Sequence, residues 1–212
     1  VVLVATSNYA PSELYPQGQN RSSFLPTIAL IEANLTVLNV DGGEDYRLRT
    51  LKPAEIFFVP DNDENEQKLS DLFKNMSGGV AAEAGISVIH GREIPHKAKS
   101  EQVIWFDFRA LCFGPRSQAD YLYLAEHYEI VFLSVIGAAY QEKAEARRLT
   151  WLIDVLYDYR VKLCATSKVG VDDIYVEGDF AQEFTRTASR MVEMQSEAYL
   201  KLPHLTLNAP KS

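Results

Sequence analysis

An α/β fold, with helices packed against a parallel sheet, follows from three features of the chain. It opens on VVLVA, apolar at every position, which is the pattern of a strand covered on both faces. Apolar strands alternate with helical stretches in the first 50 residues, and the same rhythm resumes after Gln118. Two further apolar runs, EIVFLSV and VKLCATS, are separated by KAEARRLTWLIDVLYDYR, whose apolar residues recur at helical spacing.

Taken in order, VVLVATS predicts a strand, a helical stretch opens near Pro11 and Ser12, and TVLNV, residues 36–40, predicts a second strand. In QNRSSFLPTIALI, Arg21 closes one helical segment and Pro26 takes a first-turn position of the next, where its missing N–H is harmless. Residues 53–115 change character: IFFV is followed by the acidic run DNDENE, a helix through EQKLSDLFKNM, and GISVIHGREIPHKAKSEQVIWFDF, which alternates like a hairpin. That segment reads as an α+β insertion. Helix QADYLYLAEHY, strand EIVFLSV, the long amphipathic helix and strand VKLCATS make up residues 116–176. A helix around FAQEFTRTASRMVEMQSEAYL and a loose tail, PHLTLNAPKS, complete residues 177–212.

A net charge of −8 and a pI near 5.1 argue against a nucleic-acid partner held by bulk positive charge. No apolar run reaches the roughly 18 residues that a membrane span requires, and the opening residues carry no signal-peptide pattern. Cys112 and Cys164 each sit inside apolar runs, as expected of thiols in a reduced compartment, and neither has an adjacent base to activate it. DNDENE starts like a calcium loop but has Glu66 where glycine is needed and Leu72 where the bidentate Glu belongs, so it reads as a solvated acidic loop. His90 and His96 flank the hairpin with no third ligand in view, and no metal site is assigned.

Open α/β sheets hold their ligands beyond the carboxyl ends of the strands, which is where Thr6, Ser7 and Asn8 stand. An uncharged amide there can hydrogen-bond a phosphate oxygen or an attacking water without adding charge. The alternative is that Ser7 or Asn8 only turns the chain and caps the next helix. ATSNYAPSELY, residues 5–15, returns as ATSKVGVDDIY, residues 165–175, and six of fifteen positions agree between residues 1–15 and 161–175. Lys168 replaces the amide in the second copy, which keeps strand and turn but not the chemistry.

Several stretches together resemble one family: ATSN with Pro-x-x-Leu-Tyr, QNRSSFLP, NVDGGEDYRLR, FDFRALC with ADYL, EARRLTWLIDVLYDYRVKL and FTRTASRMVEMQSEAYL, spanning residues 1 to about 200. This resembles the ZapE-type, AFG-like family of AAA+ ATPases. The resemblance implies a three-layer P-loop NTPase core with a β-rich insertion and a C-terminal helical lid. It implies ATP and magnesium as cofactors, a homo-oligomeric ring, hexameric in form, and a protein client, linked in bacteria to the cell-division ring. It implies a cytoplasmic site in bacteria and a mitochondrial one in eukaryotes. Carried onto this chain, Asn8 is the sensor that orients the hydrolytic water, and Arg21 is the arginine finger. Arg190, with Arg186 as its rival four residues earlier on the same helix, is the second sensor on the lid.

No G-x-x-x-x-G-K-[ST] occurs in the 212 residues, and no apolar strand runs into Asp-Glu ahead of residue 8. The expectation is a C-terminal part of a longer ATPase, with residues 1–52 as the sensor and finger region of the core, and with the P-loop N-terminal to it. Alone, such a chain is expected to be inactive. SVIGAAYQ, residues 134–141, departs from the family, which carries a Pro-containing turn there. The alternative reading is a protein-interaction fragment, gripping a partner through residues 53–115 without turning over nucleotide.

Overall fold

The computed structural model describes residues 5, 10–14, 21–38, 51, 55–137, 143–176, 178 and 180–205. The chain divides into two compact units, Val1–Gly43 and Glu44–Ser212.

In the first unit a 3-10 turn, Pro11–Glu13, precedes helix α1, Arg21–Asn34. The helix expected near Pro11 and Ser12 is only that turn. Arg21 is the first residue of α1 rather than the end of an earlier segment, so Pro26 lies inside the helix, where its ring leaves the Ser22 carbonyl without its intrahelical donor. Ile28 is buried, with Phe24 and Ile31 half-buried on the same side. Residues 36–38, the described part of TVLNV, belong to no strand, and Val37 and Leu38 are exposed. The opening strand expected at VVLVATS falls, except for Ala5, outside the described residues.

The second unit is built on a five-stranded sheet. Its strands are β1 (Phe57–Phe58), β4 (Ala98–Lys99), β5 (Val103–Asp107), β6 (Ile130–Ile136) and β7 (Lys162–Ser167), in the order β1-β7-β6-β5-β4. The pairs β1–β7, β7–β6 and β6–β5 are parallel, and β4 runs antiparallel on the edge. β2 (Gly85–Ile89) and β3 (Arg92–His96) form a separate hairpin. Its two-residue turn, His90–Gly91, holds φ 48° and 74°, the left-handed pair that matches strand twist.

Helix α2 (Asp63–Met76) covers one face of the sheet, laying Leu69, Phe73 and Met76 on Trp105, Phe132 and Cys164. The other face carries α3 (Phe108–Cys112), α4 (Gln118–His127), α5 (Lys143–Asp158) and α6 (Ala181–Met194). There Phe106, Val131, Leu133 and Ala165 meet Tyr121, Leu149, Leu152 and Phe184. Because neighbouring residues of a strand point to opposite faces, a sheet covered on both sides needs apolar residues at every position. VIWF and IVFL meet that need.

The segment 53–115, set apart in the sequence as an insertion, contributes β1, β4 and β5 to the sheet that β6 and β7 complete. GISVIHGREIPH does form the hairpin, but Val103–Asp107 pairs in parallel with β6. The acidic run is likewise no loop: Asn62 caps α2 by accepting from the Asn65 N–H at 2.9 Å, and Asp63, Glu64 and Glu66 occupy the first turn, where the helix dipole favours carboxylates.

The C-terminal end is docked further than the expected loose tail. After α7 (Glu197–Leu200), His204 Nε2 lies 2.7 Å from the Ala125 carbonyl, and the Leu205 N–H donates to the Tyr159 carbonyl at 2.9 Å. Beneath α7, buried Lys162 donates to the carbonyls of Arg160, Tyr199 and Leu202 at 3.0, 3.1 and 2.7 Å. Its ammonium also stands 4.9 Å from the Tyr199 ring centre. Burial pulls the Lys162 pKa down to about 8. Between that value and the ordinary lysine value near 10.4, the unfolded chain holds a proton that the folded chain has released, so raising the pH favours the fold. Wild type is therefore expected to gain stability relative to Lys162→Met as the pH rises from about 8 to about 10, read by denaturant unfolding of both proteins in parallel. A constant difference across that window would remove the assigned shift.

Candidate functional site

Of the four residues the sequence singles out, Asn8 lies outside the described residues. Arg21 is described and half-buried, and its Nη2 donates to the Ser12 carbonyl at 3.0 Å, tying the start of α1 back to the 3-10 turn. A cation in the first turn of a helix meets the positive end of the helix dipole, an arrangement unfavourable by about 0.3–1 kcal/mol. The position of Arg21 thus runs against local helix stability.

The two arginines of α6 have different surroundings. Arg190 is only 16% exposed, and its guanidinium pairs with Asp154 at 2.5 Å and Asp158 at 3.5 Å and lies 4.7 Å over the Tyr157 ring. All three partners are on α5. Arg186, one turn earlier, is exposed and has no hydrogen-bond or ion-pair partner among the described residues. The four-residue spacing gave both one helical face, but a rotation of about 40° per four residues is enough to turn one inward and the other out. Asp154 and Asp158, also four apart, were the sequence signal that Arg190 had partners waiting.

At the carboxyl end of the sheet a polar network that no sequence motif announces joins α2 to three strands. Ser134 Oγ accepts from Trp105 Nε1 at 2.8 Å and donates to Glu66 Oε1 at 2.8 Å. Lys97 Nζ pairs with Glu66, reaches Ser134 Oγ at 3.2 Å, and stands 4.6 Å over the Trp105 ring. Thr166 Oγ1 donates to Glu66 Oε2 at 3.2 Å and accepts from the Val135 N–H at 2.9 Å. Val135 has φ 63°, a left-handed conformation costly for a β-branched residue, at the irregularity where the β6–β7 register shifts between Leu133 and Ile136. A shallow hollow beside Asp63, Glu66, Gln67, Lys97 and Trp105 opens over this network. Both oxygens of Glu66 are satisfied from within the protein, so the network clamps α2 onto the sheet. Its signal in the sequence was Ser134 and Thr166, two hydroxyls in otherwise apolar strands.

The motifs FDFRALC, ADYL and EARR converge on one short helix end. Three successive carbonyls at the end of α3 lack intrahelical donors. Arg116 Nε donates to the Ala110 carbonyl at 2.9 Å, Tyr121 Oη to that of Leu111 at 2.8 Å, and Arg148 Nη1 to that of Cys112 at 3.1 Å. Nearby, Asp120 holds the start of α4: its Oδ2 accepts from the Ser117 N–H at 2.7 Å and from Arg92 Nη1. Burial pushes the Cys112 and Cys164 thiols well above the usual range, which keeps them protonated and unreactive. His96 Nδ1 lies 3.0 Å from Ser87 Oγ, and His90 packs edge-on against Tyr123, so each imidazole is engaged within its own surroundings.

Among the described residues no helix is long and apolar enough to cross a membrane. Compared with known proteins, the chain matches the AFG1-like ATPase family over residues 1–203. It is 38% identical over 206 residues to the cell division protein ZapE of Escherichia coli K12, covering 97% of this chain and 55% of that protein. An uncharacterized protein of Schizosaccharomyces pombe is 32% identical over 234 residues, covering 96% of this chain and 52% of that protein. Lactation elevated protein 1 homolog B of Danio rerio is 27% identical over 235 residues, covering 94% and 47%. The chain thus spans about half the length of the curated relatives it matches. No solved structure matches it significantly.

Proposed function

Because the chain belongs to the AFG1-like ATPase family, we propose that it is the sensor, finger and lid part of an ATP-hydrolysing machine whose phosphate loop and magnesium carboxylates lie in the remainder of the parent protein. Membership of that family across residues 1–203 is the observation that carries the reading. In this reading Asn8 orients the attacking water through an uncharged amide, and Arg21 is offered to the γ-phosphate of a neighbouring subunit. An arginine suits that role because its planar, permanently charged fork meets the developing phosphoryl charge at two oxygens. A finger given in trans requires subunits to close on one another, so the parent is a homo-oligomeric ring, a hexamer by analogy with its class. The 38% identity to a cell division protein supports a bacterial, cytoplasmic role with a protein client at the division ring; in a eukaryote the corresponding place is the mitochondrion.

The described residues that fit a nucleotide are cations. Arg186, exposed and without a partner, suits a phosphate oxygen, while Arg190 would first have to give up Asp154, Asp158 and the Tyr157 ring. Arg186 is therefore the second sensor in this reading, and Arg190 holds α6 on α5. Magnesium, which would neutralise phosphate charge when bound, takes one or two carboxylates together with phosphate oxygens in such a site, and in this reading those carboxylates belong to the remainder of the parent protein.

Phosphate release by the full-length protein tests the reading. Arg186→Ala is expected to lower turnover by about tenfold or more with unchanged thermal stability. Arg190→Ala is expected instead to cost about 1–2 kcal/mol of folding stability, from the lost ion pairs and the contact with Tyr157. Absence of hydrolysis by the full-length protein would end the ATPase reading, and the reverse pattern in the two variants would restore Arg190 as the sensor.

A further inference from the structure

We infer that the segments 10–35 and 170–195 are two copies of one structural unit, and that the second copy has lost the polar residues through which the first acts on nucleotide. The 3-10 turns Pro11–Glu13 and Val171–Asp173 are 160 residues apart, and so are the 14-residue helices Arg21–Asn34 and Ala181–Met194, with no insertion or deletion between turn and helix. Each turn is closed by the same bond, Leu14 N–H to the Pro11 carbonyl at 3.3 Å and Ile174 N–H to the Val171 carbonyl at 3.4 Å.

The helices also agree in which residues they turn inward. Arg21, Phe24, Ile28, Ile31 and Leu35 are buried or half-buried in one segment, as are Ala181, Phe184, Ala188, Met191 and Gln195 at the same offset in the other. Two unrelated helices could share a length, but a shared length, inward face and preceding turn at one offset requires a common register. α6 covers a wider face, adding Thr187, Arg190 and Met194. The sequence echo follows the same offset: Val1, Leu3, Ala5, Thr6, Ser7 and Tyr15 recur at 161, 163, 165, 166, 167 and 175. Its second copy runs through β7.

At this offset Lys168 stands where the first copy has Asn8, and Ala181 where it has Arg21. The second unit also has a parallel strand–turn–helix corner beside β7, from β1 to α2, the arrangement on which a phosphate loop is built. Pro60, Asp61, Asn62 and Asp63 fill that corner in place of glycines and lysine, and Glu66 in the first turn of α2 takes the Thr166 hydroxyl. An acidic corner repels phosphate. The second copy is therefore silent as a nucleotide site of its own, its exposed Arg186 serving the one site of the parent, and it is retained for packing: α6 lies along α5, joined by the Thr150–Thr187 hydroxyl pair at 2.8 Å and by Arg190.

The silence of the second copy rests on the ATPase reading; the repeat does not. In the full-length protein, equilibrium binding is expected to saturate at one ADP per chain. Lys168→Ala is expected to keep ATP turnover within about twofold of wild type while Asn8→Ala loses about 10³-fold or more. Two ADP per chain, or a tenfold loss in Lys168→Ala with an unchanged unfolding midpoint, overturns the silence. An experimental structure of the full-length protein tests the repeat itself: turn and helix boundaries should coincide at the offset of 160 to within about two residues, with the same positions inward. Boundaries further apart overturn it. Coincident boundaries in a protein that neither binds ADP nor hydrolyses ATP would sink the ATPase reading alone.

Discussion

Arg21→Ala in the full-length protein is expected to lower ATP turnover by about 10³-fold or more, the scale on which an arginine finger acts in phosphoryl transfer. The loss should appear in kcat, because the guanidinium meets charge that develops only in the transition state. Arg21→Lys should not restore it, since an ammonium lacks the planar fork. Asn8→Ala is expected to show a comparable defect. Mixed in equal amounts, the two variants should regain about a quarter of wild-type turnover, because only pairings of an intact Asn8 site with an intact Arg21 from the neighbour are complete. Recovery near zero would place both residues in one subunit's site, and unchanged turnover in Arg21→Ala would return that arginine to a structural role such as its bond to the Ser12 carbonyl.

Phe73→Ala is expected to destabilise the second unit by about 4 kcal/mol, which combines the lost transfer energy of a buried ring with the cavity it leaves. Phe73 is fully buried, 5.7 Å from the Trp105 ring centre and 5.4 Å from that of Phe132, so it fills the space between α2 and the central strands. The site cannot collapse cheaply, because the Glu66 clamp holds the start of α2 at a fixed height above β6 and β7. Phe73→Leu keeps much of the volume and should cost about 1 kcal/mol. Chemical denaturation followed by tryptophan fluorescence measures both directly, as Trp105 lies against the deleted ring. A cost under 1 kcal/mol for the alanine variant would mean that α2 is not anchored to the sheet as described.

Much of the second unit was visible in the sequence because its elements are written locally. The alternation in EIVFLSV was absent, which marked a strand covered on both faces, and the helical period of EARRLTWLIDVLYD predicted α5. The hairpin shows in the alternation of GISVIHGREIPH, which β2 and β3 bear out. Strand pairing is less accessible: VIWFD reads as part of the hairpin by proximity, yet its partner is β6, because a strand apolar on both sides gains most in the middle of a sheet. DNDENE reads as a loop from its polar residues, while the deciding feature is the cap at Asn62.

The candidate site divides in the same way. The types of residue that suit phosphate chemistry, Asn8, Arg21, Arg186 and Arg190, were named from sequence and from a resemblance that the match over residues 1–203 supports. Whether an arginine is free or engaged depends on what another helix places opposite it, and Asp154 and Asp158 settle that for Arg190.

The sequence by itself determined the α/β class, the family and the positions of most helices and strands, since period, turn chemistry and motif are properties of neighbouring residues. Only the tertiary structure decided that residues 53–115 share a sheet with β6 and β7, that Glu66, Lys97, Ser134 and Thr166 form one clamp, and that Arg116, Tyr121 and Arg148 together cap α3. Those contacts join residues as far as 100 positions apart. Their energies depend on burial and on the geometry of partners brought together by folding, which no local pattern encodes.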